Sequence, residues 1–283
     1  MRRDGPRCLA VLADLHANLQ ALEAVLADAD RRGIREVWCA GDVVGYGGSP
    51  AETVALLRRR RIPAVAGNLD RKLFRVARRP ERGPVPLGHL THLWTRERLD
   101  PGARRWLRAL PFSRRFRRGG RTILLVHGSP ASEEEYLRPG IGRERLRVLA
   151  RMARASVVVA GHSHAFWEGR AGGTWFVNAG SVGRLEGRPG RAGYAILDLW
   201  LDPPRVRFLE VPYDLRGAVR AILRGGLPRE YARMLETGLG LSEVVRKDPP
   251  AGTSRRPCSP GSGSAAGPSG RETGSFRDGV QRI

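Results

Sequence analysis

The 283-residue chain contains little lysine, little cysteine and no long apolar run. Lys72 and Lys247 are its only lysines, so arginine supplies nearly all the positive charge behind a formal net charge of +22. No apolar run approaches the roughly 20 residues of a membrane-spanning helix, which argues against a membrane protein. The three cysteines lack the spacing of a disulfide framework, and this favours a reducing, cytoplasmic location.

The excess of arginine has two explanations. A strongly basic chain can bind nucleic acid, and the segment RRFRRGGR at 114–121 is its most basic element. Arginine, alanine and glycine are all abundant, however, as in proteins encoded by GC-rich genomes, and the arginines are spread along the chain. We therefore keep nucleic acid as the weaker alternative and expect the positive charge to attract a small phosphorylated substrate.

Glycine, serine and proline dominate the end of the chain, where large apolar residues are scarce. Such a segment buries too little surface to offset its ordering entropy, so we expect a disordered basic tail over 243–283. The preceding residues, 1–242, form one predicted domain, with a core over about 8–212 and a C-terminal helical extension over 213–242.

Within this domain, short apolar runs alternate with segments of helical periodicity. Leu19, Leu22, Val25 and Leu26 have helical spacing, and Gly33 follows as a stop signal. The later apolar runs have no crossover helices between them, which predicts an α/β core built on two sheets. Strands are predicted at 8–14, 36–42, 64–68, 122–128, 156–162, 174–180, 193–200 and 205–211.

Each of the first five predicted strands ends in one or two potential metal ligands. The carboxyl ends of strands are where α/β sheets form binding sites, so we expect these side chains to meet. In an extended Asp-x-His or His-x-His pair, both side chains also lie on one face. Mixed nitrogen and oxygen donors suit Mn²⁺, Zn²⁺ or Fe²⁺. The candidate ligands are Asp14, His16, Asp42, Asn68, His127, His162 and His164.

The motifs that contain these donors resemble those of the calcineurin-like metallophosphoesterase superfamily. Four longer segments make the chain similar to its small bacterial phosphodiesterase-like branch: GDVVGYGGSP, WTRERLDPGARRWLRALP, LLVHGSP and VNAGSVG. The likeness covers about residues 8–212 and implies a four-layer α/β/β/α sandwich of two mixed sheets flanked by helices. The short motifs are Asp14-Leu15-His16, Gly41-Asp42, Gly67-Asn68-Leu69-Asp70, His127-Gly128 and Gly161-His162-Ser163-His164.

The resemblance also implies a role for each donor around two divalent metal ions. Asp42 would bridge the ions. Asp42 and Asn68 would both act in catalysis, and Asn68 and His127 would also contact the substrate. Mn²⁺ is the first expectation, with Zn²⁺, Fe²⁺, Ni²⁺ or Mg²⁺ as alternatives. The implied ligand sets are Asp14, His16 and His164 for the first ion, and Asn68, His127 and His162 for the second.

The implied activity is hydrolysis of a phosphoester, most specifically a phosphodiester, by a water or hydroxide that bridges the two metals. Leu69 departs from the family pattern, because many members have a histidine there and leucine donates no proton. This argues against a protein phosphatase of the histidine-bearing type. A phosphatase or dinucleoside polyphosphate hydrolase stays open, as does a non-catalytic protein-binding scaffold of the same fold. Asn178 matches a motif position near the site without being an expected ligand.

Overall fold

The computed structural model describes residues 7–75 and 86–247. Its apolar runs form strands because their side chains are covered on both faces, as in β1, where every residue is buried. The strands are β1 (Cys8–Leu12), β2 (Glu36–Cys39), β3 (Ser113–Arg118), β4 (Arg121–Val126), β5 (Val157–Ala160), β6 (Phe166–Ala171), β7 (Thr174–Ala179), β8 (Arg191–Asp198) and β9 (Arg205–Pro212).

The strands form two mixed sheets. The first has the order β2-β1-β8-β9, and the second has the order β3-β4-β5-β7-β6. The pairs β1–β2, β4–β5 and β5–β7 are parallel, while β1–β8, β8–β9, β3–β4 and β6–β7 are antiparallel. The parallel pairs matter for the site, because the carboxyl ends of parallel strands leave the sheet at one edge.

Helices cover the outer faces of both sheets. Successive residues of β1 point to opposite faces, so Leu9 and Val11 pack between the sheets while Ala10 and Leu12 pack outward against helices. The outward-facing residues of β4 and β5 pack against α6. The helices are α1 (Leu19–Arg31), α2 (Pro50–Arg59), α3 (Asn68–Arg75), α4 (Leu87–Arg98), α5 (Pro101–Arg108), α6 (Arg143–Ala153), α7 (Leu215–Arg224), α8 (Arg229–Thr237) and α9 (Leu241–Lys247).

These layers confirm the predicted four-layer α/β/β/α sandwich. A hairpin that turns at Gly119–Gly120 joins β3 and β4. The helix caps are less uniform: Asp100 caps α5 by accepting the N–H of Ala103 at 2.8 Å, whereas Ser49 makes no side-chain cap bond to α2.

Two predicted boundaries were wrong. The segment 64–68 is not a strand of either sheet: Ala64 makes a single bridge with Cys39, and Asn68 begins α3. Five residues are too few to show whether an apolar run will find a continuous partner. The start of the tail is also displaced, because residues 243–247 belong to α9. The rest of the predicted tail, 248–283, lies outside the described residues.

The basic segment of β3 is engaged in intramolecular bonds. Arg114 donates to the carbonyl of Ala64 at 3.0 Å, and Arg115 donates to the carbonyl of Ala153 at 2.7 Å. Arg118 pairs with Glu36 at 2.8 Å. These arginines therefore fasten an edge strand to its surroundings. Across the described part of the chain, no helix has both the length and the apolar character to cross a bilayer.

Candidate metal centre

The seven predicted donors converge at one edge of the sandwich. Nδ1 of His127 donates to the carbonyl of Ala40 at 2.8 Å, which joins the ends of the two sheets. The N–H of Gly161 donates to the carbonyl of His127 at 2.8 Å and so aligns two neighbouring turns. The donors follow β1 (Asp14, His16), β2 (Asp42), β4 (His127) and β5 (His162, His164), or begin α3 (Asn68).

The donors are presented by left-handed turns and not by extended strand ends. Asp14 and His16 have φ angles of 53° and 50°, and Asp42 has 49°. His162 and His164 have φ angles of 69° and 59°. The expectation that each pair shares one face of an extended strand was therefore wrong. Left-handed backbone is costly for such residues and concentrates at functional sites, where the surrounding structure imposes it.

Backbone hydrogen bonds impose this conformation. The N–H groups of Asp14 and His16 donate to the carbonyls of Gly41 and Asp42 at 3.0 and 2.9 Å. The first donor turn is thus bonded residue by residue to the second. On its other side, the N–H of Gly183 donates to the carbonyl of Asp14 at 2.8 Å.

The first group of donors consists of Asp14, His16 and His164, all of them buried. Nε2 of His16 and Nε2 of His164 lie 2.9 Å apart. Oδ1 of Asp14 lies 3.4 Å from Nε2 of His164 and 3.8 Å from Nε2 of His16. Three potential ligand atoms from two distant segments therefore surround one small volume.

The second group gathers around Asp42. Its Oδ2 lies 3.6 Å from Nε2 of His127, and the same nitrogen lies 3.1 Å from Oδ1 of Asn68. The ring of His162 lies 4.9 Å from that of His127, centroid to centroid. Asp42 also lies 4.0 Å from Nδ1 of His16, so it stands between the two groups. Asp14 is close enough to His127 and Asp42 to contribute to this group as well.

The unpaired atoms of these residues fit divalent cations. Oδ1 of Asp14 and Nε2 of His162 are buried without a hydrogen-bond partner among the described residues. Because Nδ1 of His127 donates to Ala40, its Nε2 presents a lone pair toward the oxygen of Asn68 when the ring is in the neutral form that binds a metal. Two facing acceptors repel each other unless the Asn68 amide rotates or a cation lies between them. A mixed set of nitrogen and oxygen donors suits a transition-metal dication.

Burial and mutual charge set the titration of the donors. Burial raises the pKa of Asp42 to about 8, although His127 opposes this shift. Burial alone would raise the pKa of Asp14, but the surrounding histidines, chiefly His164, hold it well below its usual range. Burial, with the charge of His127, lowers the pKa of His162 to about 4. Histidine ligands must be neutral to bind a metal, so this shift favours binding.

Asp70 fixes the two loops that carry Asp42 and Asn68. Its Oδ2 accepts the N–H groups of Gly67 and Val43 at 2.9 and 3.2 Å, and its Oδ1 accepts that of Val44 at 3.0 Å. The carboxylate of Asp70 thus bonds to the backbone of both loops, and burial raises its pKa.

Two glycines let backbone pass directly against the donor carboxylates. A Cβ on Gly67 would lie 2.0 Å from Oδ1 of Asp42, and a Cβ on Gly161 would lie 2.6 Å from Oδ2 of Asp14. Both distances are far shorter than any real contact of a Cβ atom. The glycines of the Gly-Asn and Gly-His motifs are therefore required by the carboxylates beside them.

Asn178 supports the loop that carries the histidines. Its amide nitrogen donates to the carbonyl of Gly161 at 2.6 Å and to the hydroxyl of Ser163 at 2.9 Å. Its oxygen accepts the N–H of Gly180 at 3.1 Å. Asn178 thus holds the turn that presents His162 and His164.

A cavity of about 360 Å³ opens beside the donors. Asp42, Asn68, Leu69 and His164 form part of its lining. The opposite wall includes Gly238–Gly240 and Glu243, from the α8–α9 segment.

Two further side chains, those of Tyr46 and Arg184, line the cavity and were not identified from the sequence motifs. Tyr46 lies within the segment GDVVGYGGSP, and Arg184 follows VNAGSVG, yet neither is part of a donor motif. Arginine is so frequent in this chain that no single one is distinguished by its type. Only the folded arrangement, which brings the loop after β7 against the Asp14 turn, identifies Arg184 as a site residue.

Comparison with known proteins agrees with this geometry. Residues 8–200 match the model of the calcineurin-like phosphoesterase superfamily domain. An uncharacterized protein of Methanocaldococcus jannaschii is 28% identical over 253 residues, which cover 81% of this chain and 98% of that protein. The crystal structure of a metallophosphoesterase from Sphaerobacter thermophilus is 28% identical, with a TM-score of 0.68 over 83% of this chain and 100% of that chain. A hypothetical protein of Pyrococcus horikoshii shares the fold, with a TM-score of 0.72 and 23% identity over 82% of this chain and 98% of that chain.

Proposed function

Because the chain belongs to the calcineurin-like phosphoesterase superfamily, we propose that it hydrolyses phosphoesters with the help of two divalent metal ions. Within that activity we propose a phosphodiesterase that acts on a small nucleotide or a similar small phosphodiester. The observation that carries the proposal is the pair of donor groups, which have Asp14 in common and Asp42 between their histidines, beside a cavity that Asp42 lines. A volume of about 360 Å³ suits a ligand of nucleotide size.

Some residues of the site would bind the metals and the substrate, and others hold those residues in position. Divalent cations bound here would supply Lewis acidity and make a water molecule acidic enough to attack at neutral pH. Asp42 would hold both metal positions, since it lies between the histidines of the two groups. Asn68 and His127 would face the phosphoryl group from the second position. Their orientation is fixed before substrate arrives by the bonds of Asp70 and Ala40.

Leu69 favours diesters with acidic leaving groups over protein phosphates. Its buried side chain lines the cavity and offers no proton to a departing oxygen. A leaving group that is stable as an anion needs no such help. A phosphatase or dinucleoside polyphosphate hydrolase is the second candidate, since both reactions use the same donors. A non-catalytic scaffold is less favoured, because a complete donor set would serve no purpose in it.

The metal and the compartment are parts of the same proposal. We propose Mn²⁺ as the native metal, since a site of mixed imidazole, carboxylate and amide donors suits it. We propose the cytoplasm as the compartment, and the support is that Cys8 and Cys39 are free thiols in the core.

The test is a substrate panel on metal-stripped protein reloaded with Mn²⁺, Zn²⁺, Fe²⁺, Ni²⁺ or Mg²⁺. The panel contains bis(p-nitrophenyl) phosphate, cyclic nucleotides, dinucleoside polyphosphates and phosphopeptides. We expect metal-dependent turnover of the diesters and little turnover of the phosphopeptides. Preferential cleavage of dinucleoside polyphosphates would favour the second candidate, and absence of turnover with every metal would contradict the proposal.

A further inference from the structure

One wall of the cavity contains a cation that the proposed metal chemistry does not use. Arg184 lies in the loop after β7, half-buried, and lines the cavity together with Asp42, Asn68 and His164. A cation beside a site that binds cations calls for an explanation.

The loop that carries Arg184 is anchored directly to the first donor turn. The N–H groups of Val182 and Gly183 donate to the carbonyls of Ala13 and Asp14 at 2.9 and 2.8 Å. The hydroxyl of Ser181 donates to the carbonyl of Asp14 at 3.0 Å and accepts the N–H of Arg184 itself at 2.9 Å. The backbone of Arg184 is therefore fixed relative to Asp14.

No carboxylate of the described residues lies within ion-pair distance of the guanidinium, although Asp14, Glu186 and Glu243 act on its charge from farther away. Nη1 donates to the carbonyl of Gly238 at 3.3 Å, which holds one end of the group against the α8–α9 segment. Nε is buried without a hydrogen-bond partner, and no carboxylate within 7–75 or 86–247 forms an ion pair with Arg184. An arginine keeps its charge in proteins, and burial of an unpaired charge is unfavourable. An anion bound in the cavity would reduce the unfavourable energy of burying this charge.

The hydrogen bonds of Arg184 leave Nη2 and Nε without an acceptor among the described residues, although Nε is also shielded from solvent. Nε–H and Nη2–H lie on the same side of the planar group and can donate in parallel to two oxygens. The bond from Nη1 to Gly238 occupies the other side. Tyr46, which also lines the cavity, contributes no competing anion, because burial raises its pKa to about 12.

We propose that Arg184 is the phosphate-binding residue of this site and that its guanidinium, chiefly through Nη2, holds a non-bridging oxygen of the substrate's phosphoryl group. The inference rests on the proposed function for its substrate, a phosphoester, but concerns recognition and not metal binding. It assigns to the α8–α9 segment, through Gly238, the task of holding the guanidinium in place.

The test compares Arg184→Gln and Arg184→Lys with Arg188→Gln. Arg188 is a matched control because it belongs to the same loop, is exposed and pairs with Glu210 at 3.5 Å away from the cavity lining. The measurements on Mn²⁺-reconstituted protein are metal content, binding of inorganic phosphate by calorimetry, and kcat and KM for bis(p-nitrophenyl) phosphate.

We expect Arg184→Gln to keep the wild-type metal content and to bind inorganic phosphate about 10- to 100-fold more weakly, the range for a lost charged hydrogen bond. KM should rise by a similar factor. Arg184→Lys should recover part of the loss, since lysine restores the charge without the fork. Arg188→Gln should match the wild type.

Phosphate binding by Arg184→Gln within about twofold of the wild type would overturn the proposal, as would failure of the wild type to bind phosphate. Loss of metal from a folded Arg184→Gln protein would also overturn it, because the residue would then act on the ligands. Arginine-dependent phosphate binding without turnover of any ester would instead contradict the proposed function and support this role of Arg184.

Discussion

Replacement of Asp70 by asparagine should destabilise the protein without touching a metal ligand. The amide oxygen can replace Oδ2 and keep the bonds from Gly67 and Val43. The amide nitrogen then faces the N–H of Val44, which donated to Oδ1 at 3.0 Å. One hydrogen bond is lost, and two buried donors, the Val44 N–H and the new amide nitrogen, are left facing each other without an acceptor, which together costs about 2–4 kcal/mol. For a domain of this size, that corresponds to a fall in Tm of roughly 5–15 °C.

Thermal and urea denaturation of metal-free protein measure this effect. Asp30→Asn is the matched control: it makes the same substitution at an exposed carboxylate paired with Arg60, where the expected change is below about 1 kcal/mol. Asp70→Asn should also weaken metal binding about 10- to 100-fold, because the loops of Asp42 and Asn68 lose their common support. A free energy of unfolding for Asp70→Asn within about 0.5 kcal/mol of the wild type would refute the reasoning.

Three further predictions concern the donors and the cavity. Asp42→Asn should abolish activity and lower the metal content at both positions, and an unchanged metal content measured by mass spectrometry would refute its shared role. Leu69→His should raise the rate on diesters with poor leaving groups by about tenfold or more while changing nitrophenyl substrates little, and equal effects on both would contradict the argument about acid catalysis. Gly161→Ala should displace the carboxylate of Asp14, which lies 2.6 Å from the new Cβ, and reduce metal content, whereas Gly88→Ala, with open space around it, should not.

The sequence predicted the elements in which local pattern and tertiary environment agree. The apolar runs of β1, β4 and β5 are buried strands, and the helical spacing of Leu22 and Val25 forms the buried face of α1. The segment 64–68 shows the limit of such patterns, since an apolar run becomes a strand only when a neighbouring strand is available to pair with it. Here the chain makes one bridge and turns into α3.

The convergence of the donors was predictable because motifs at strand ends meet at one edge of a sheet. Their left-handed backbone was not, because it follows from bonds such as that between the N–H of Asp14 and Gly41, which join separate segments. Arg184 was missed for a similar reason. Arg184 stands out because its buried Nε has no hydrogen-bond acceptor. A sequence shows residue types, but it does not show which hydrogen bonds are absent from the fold.

Anomalous diffraction from crystals of Mn²⁺-reconstituted protein would measure the central claim directly. Two peaks are predicted, one enclosed by Asp14, His16 and His164 and one by Asn68, His127 and His162, with Asp42 in contact with both. Peaks elsewhere on the chain, or none in this cluster at saturating Mn²⁺, would contradict the account.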